Sequence, residues 1–186
     1  MELPFFVTSM EEDGDVRAMD LREKPRKLFF LWLEWRGDSK RAPKKSDIDP
    51  VTIARAGIMP DVWLIERLAD GRFRFSLTGE NSINAFERGL RGKTVEETYD
   101  PPRAQMANYR YARIIEDERA EFSRGPVLRN GRLCYYAHRI LLPLLNDAGE
   151  SAFAIGVADQ ENYDRDATGE PEFFYDNIVM TPVARL

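Results

Sequence analysis

The stretch 120–158 constrains this chain more than any other. It holds three apolar runs, 120–128, 133–145 and 151–158, separated only by short polar breaks. The breaks are Asn130-Gly131 and Asn146 to Gly149. Both have hairpin chemistry, because Asn and Gly tolerate the left-handed backbone that tight turns demand. Runs joined this closely must lie antiparallel, since a parallel crossover needs a dozen or more residues. A second hairpin lies upstream. Phe73, Phe75 and Leu77 alternate with Arg72, Arg74, Ser76 and Thr78, the period of a half-buried strand. Asp70-Gly71 turns this run against another at 61–68. Together these runs predict five strands in one antiparallel sheet.

Helical signals occupy the rest of the core. Residues 80–88 read as a helix stopped by Gly89, and 94–99 as a short one. Pro101-Pro102 opens a longer helix reaching about 117, with Met106, Tyr109, Ala112 and Ile115 on one face. Upstream, 25–36 reads as a helix with Pro25 in its first turn. Leu28, Leu31, Trp32 and Trp35 share one face, and Phe29, Phe30 and Leu33 make the remainder apolar. A helix that is apolar all round must be covered on more than one side. Asp49 is placed to cap a short helix running from Pro50 to about Ala56. The fold class is therefore α+β: a five-stranded antiparallel sheet with short helices on one face, preceded by an N-terminal helix. The chain divides into an acidic arm (1–24), the helix and its linker (25–46), a core domain (47–160) and a C-terminal extension (161–186).

Composition narrows the chemistry. The net charge is −5, so a strongly basic nucleic-acid binder is not expected. The basic stretch 24–45 reads as a solvated linker and helix face. Glu116, Asp117, Glu118 and Glu121 read as a solvated acidic helix end. The longest near-continuous apolar run, 28–35, is broken by Glu34 and falls far short of a membrane span of roughly 20 residues. A single cysteine, Cys134, excludes an internal disulfide, and a single histidine, His138, excludes any two-histidine metal site. These features predict a cytoplasmic protein. Gly89-Leu90-Arg91-Gly92-Lys93-Thr94 has the ending of a phosphate loop, but Glu87 stands where the first glycine belongs. It reads as a helix stop and a turn. Cys134 and His138, four apart on a strand, are separated by roughly 13 Å, too far for a nucleophile–base pair or a shared metal.

The order of elements is that of a PAS domain. The residues resemble a bacterial family of PAS proteins that carry little beyond that domain. The resemblance rests on Trp32 and Trp35 in the leading helix and on Pro43, Lys44, Lys45, Ser46, Asp47, Ile48, Asp49 and Pro50 after it. It continues through the strand ending at Gly79, through the turn from Gly89 to Thr94, and through Arg139, Ile140, Leu141, Leu142, Pro143 and Leu144. It covers about 25–160. Ser76 stands where the family often has Arg, and His138 where it often has an acidic residue. The resemblance implies a sensory or regulatory module with no catalytic residues, and it assigns no cofactor. Haem-binding relatives supply histidine from the long helix, which has none here. Flavin photosensors use a helical cysteine, whereas Cys134 is on a strand.

The expected ligand-lining residues, facing a pocket between helices and sheet, are Phe75, Leu77, Ile83, Phe86, Met106, Tyr109, Tyr136, His138 and Ile140. The expected homodimer surface is Leu28, Leu31, Trp32 and Trp35, because PAS proteins often pair through the helix before the core. Only about 26 residues follow Gln160, so the expected output is a protein partner acting in trans, under control of a small molecule. An enzyme using His138 as acid/base on a small apolar substrate is the alternative.

Overall fold

This computed structural model describes residues 3–81, 89–162, 164 and 166–186. Its centre is the expected antiparallel sheet. β2 (Val62–Arg67) pairs with β3 (Phe73–Thr78), and β4 (Arg119–Arg129), β5 (Arg132–Leu145) and β6 (Ser151–Glu161) follow one another as hairpins. β6 also pairs antiparallel with β2, which gives the order β4-β5-β6-β2-β3. The turns use the predicted residues. Asn130 and Gly131 have φ of 48° and 74°, and Gly149 has 82°.

The sheet is wider than the five expected strands. β1 (Met10–Glu11), β7 (Pro171–Phe173) and β8 (Asn177–Pro182) extend it to eight. β8 pairs antiparallel with β4, and β1 pairs parallel with β8. The acidic arm and the C-terminal extension therefore each contribute strands to the sheet. The physical reason is the edge of β4. An eleven-residue strand left unpaired on one side would expose a row of backbone donors and acceptors. Val16, Ile178, Val179, Met180 and Val183 are all buried in closing it.

Helices cover both faces. α1 (Glu23–Arg36) crosses the outer face. Leu28, Phe29 and Trp32 pack there with Ile140, Leu142 and Leu144 of β5 and Ile155 and Val157 of β6. α2 (Pro50–Arg55) is capped as expected: Val51 N–H donates to Asp49 Oδ1 at 2.9 Å. On the inner face lie α3 (Val95–Thr98) and α4 (Pro101–Ile115). Glu97 reaches back to the start of α3, with Thr94 N–H donating to Glu97 Oε2 at 2.7 Å. The phosphate-loop lookalike is thus a turn at Gly92, φ 86°, leading into that cap. The expected helix at 80–88 lies almost wholly outside the described residues.

The expected dimer surface faces inward. Leu28 and Trp32 are fully buried, and the half-buried Leu31 and Trp35 pack against the same cluster. Trp32 Nε1 donates to the Pro143 carbonyl at 2.9 Å, tying α1 to the middle of the sheet. Only Phe30 among the large apolar residues of α1 is well exposed, at 58%. Replacing Trp32 with Ala removes a buried aromatic ring and leaves the cavity unfilled. We expect Trp32→Ala to lower unfolding stability by ~3–5 kcal/mol in urea titrations. A loss below ~1 kcal/mol would mean that α1 is not docked on the sheet.

Candidate functional site

The inner face and α4 do not close completely. Between them lies a cavity of about 80 Å³, several times what one water needs. Small residues make its floor. Ala137 of β5 sits beside Gln160 of β6, and Arg139 sits beside Ala158. Gly156 lowers the floor further. A Cβ there would meet the Trp63 indole at 2.5 Å, so only glycine lets that ring lie against the sheet. Tyr99, Arg110 and Tyr111 form the helical side, and Phe75 and Leu90 close one end. Phe173 and Tyr175 complete the wall from the C-terminal extension. Their approach depends on Gly125, where a Cβ would meet the Phe174 carbonyl oxygen at 2.3 Å.

Among the described residues, the charges in this wall are arranged in pairs, with one exception. Arg110 of α4 is bound by Glu121 of β4. Its Nε donates to Glu121 Oε2 at 2.8 Å, and its Nη2 donates to the other carboxylate oxygen. The two side chains are 5% and 0% exposed. Asp61 is likewise held, by Lys24 Nζ at 2.9 Å and by Asn81 Nδ2 at 2.8 Å. Arg139 is the exception. It is 6% exposed, and neither terminal guanidinium nitrogen has a hydrogen-bond partner. Its Cζ lies 5.2 Å from the centre of the Tyr175 ring and 5.5 Å from that of Phe173. Tyr175 is shared, with Arg110 Cζ at 4.3 Å. Burial pushes the Tyr99 and Tyr111 hydroxyls above the usual phenol range, so both stay neutral and able to donate.

The cavity gathers few of the residues expected from sequence. Phe75 lines it. Ile83 and Phe86 lie outside the described residues. Leu77 is 42% exposed on β3. Met106 and Tyr109 turn toward the N-terminal arm, packing with Phe6, Val7 and Met180. Tyr109 also donates to the Glu12 carboxylate. Tyr136, His138 and Ile140 face the opposite side of β5 from the cavity. The lining residues of that strand are Tyr135, Ala137, Arg139 and Leu141. The side of β5 that lines the cavity is the one opposite to the expected side. His138 packs beside Phe122 and Tyr136, with Nε2 3.7 Å from Glu161. That is beyond hydrogen-bond reach, and the imidazole does not line the cavity, so the arrangement lends the acid/base alternative no support. Among the described residues, no three metal-ligating side chains cluster and no helix is long and apolar enough to cross a membrane.

The sequence model of the PAS domain family matches residues 21–158. No curated protein matches the chain. Solved structures that resemble it include PAS domains and a photoreceptor. The PAS domain of BvgS from Bordetella pertussis is 20% identical, with a TM-score of 0.47 over 63% of this chain and 90% of that one. A PAS domain from Colwellia psychrerythraea is 11% identical, with a TM-score of 0.41 over 59% of this chain and 96% of that one. A variant of the fungal photoreceptor VVD is 11% identical, with a TM-score of 0.42 over 71% of this chain and 92% of that one.

Burial lowers the His138 pKa from 6.5, with Arg22 and Arg124 adding to the effect and Glu161 opposing it. The folded protein therefore binds this proton more weakly than the unfolded chain does. His138 contributes stability above the unfolded value of 6.5 and loses it as pH falls toward the lower folded value. We expect the thermal midpoint of the wild type to fall between pH 7 and 5 more steeply than that of His138→Phe. Equal slopes would show that the imidazole titrates alike in both states.

Proposed function

We propose a sensory role for this chain, and the premise is its family: it belongs to the PAS domain family, whose members are sensory and regulatory modules. In this reading a small molecule occupies the cavity between α4 and the inner face of the sheet. Its presence changes how the outer surface associates with another protein, a second copy of the chain included. One observation carries the reading. β5 lends Ala137, Arg139 and Leu141 to the cavity wall and the alternate residues Ile140 and Leu142 to the packing against α1. A ligand that shifts this strand acts on both faces at once, because close-packed interiors transmit small displacements. Ligand binding then selects between arrangements of α1. Its outward side, where Phe30 is exposed, is the surface offered to a partner.

Ala158 supplies a variant that fills the cavity. It lies half-buried on the floor beside Arg139, where a longer side chain intrudes on the space without breaking a polar contact. We expect native mass spectrometry of freshly purified protein to show a retained small molecule in the wild type and none in Ala158→Leu. The oligomer distribution should change with occupancy. An empty wild type whose association state ignores the substitution would refute ligand control.

A further inference from the structure

We propose that Arg139 is the anchor for an anionic ligand group, and that the cavity takes a small monocarboxylate carried on a flat apolar body. The proposal rests on the ligand-cavity reading above and adds the chemistry of the occupant.

Arg139 is more than nine-tenths buried, and its Nη1 and Nη2 have no hydrogen-bond partner. Folding a guanidinium into an interior is costly unless its charge and its donors are both met. The rings of Tyr175 and Phe173 offset part of the charge. A ring face accepts little from N–H donors, so the two terminal nitrogens are still unmet. The other described charges near them are already taken. Glu121 is held by two nitrogens of Arg110, and Asp61 is held by Lys24. Among the described residues one unpaired cation therefore remains at the cavity wall, and one negative charge balances it. A carboxylate matches the planar fork of arginine with two parallel hydrogen bonds. The rest of the lining sets the body of the ligand. Trp63, Phe75, Tyr99 and Tyr111 present aromatic surface, which favours a flat apolar group over a hydrated polyanion.

The probes are benzoate and phenylacetate, each compared with its neutral amide, and binding is read by calorimetry and by the shift in thermal midpoint. In the wild type we expect each acid to bind at least ~10-fold more tightly than its amide, the advantage of a charge-assisted pair. Arg139→Met should abolish that preference. Arg139→Lys keeps the charge without the fork and should leave it reduced, which guards against a methionine variant that fails to fold. Equal affinity for acid and amide in the wild type, or an intact preference in Arg139→Met, overturns the proposal. The outcomes also separate the two readings. Acids and amides that bind equally and are both blocked by Ala158→Leu would leave the cavity standing and remove the carboxylate. Failure of all four probes to bind would count against both.

Discussion

The Arg110 guanidinium and the Glu121 carboxylate meet out of reach of water, and the long helix and the sheet hang together through them. A buried pair of this kind adds little net stability over apolar packing, but separating its partners is strongly destabilising. If α4 slides by one turn, two charges are stranded. The pair therefore fixes how far the helix stands from the strands, with Ser123 Oγ marking the limit at 3.4 Å from Arg110 Nη2. Beside that fixed point, Ala137, Ala158 and Gly156 cannot fill the gap. The cavity is the volume left when a rigid polar clasp holds a helix above a floor of small side chains.

The outer face follows a different logic. There the packing is mostly apolar, with Trp32 pinned to the Pro143 carbonyl at its centre. The apolar face of α1, with Leu28, Phe29 and Trp32 buried, needs the sheet beneath it, and Arg36 Cζ lies 5.6 Å from the centre of the Trp32 ring. The same strands thus carry a dry, close-packed contact on one surface and an incompletely filled polar-aromatic chamber on the other.

Much of the frame was readable in the sequence. The hairpins at 130–131 and 146–149, the cap at Asp49 and the glycine turn at 92 follow from local chemistry, which acts wherever the residues occur. The site was less legible, and the reason is physical. β5 is covered on both faces, so its run from Tyr135 to Leu145 carries no alternating polar signal to show which side meets the cavity. Alternation divides Tyr136, His138 and Ile140 from Tyr135, Ala137 and Arg139, but it does not orient them. The one charged residue inside that run, Arg139, was the available signal. Glu121 was hidden by its neighbours, because it continues a series of acids that are mostly solvated. β8 was hidden by length, a short apolar segment following an acidic stretch.

Trp63 is set apart from the other two tryptophans by the sheet itself. Gly156 lets its indole lie along the chamber floor, while Trp32 and Trp35 sit beyond the strands under α1. Light absorbed by these rings is therefore reported from two insulated environments. An occupant of the chamber touches only one of the three emitters, so the chain carries an intrinsic fluorescence gauge of its own filling, with a built-in reference on the far side.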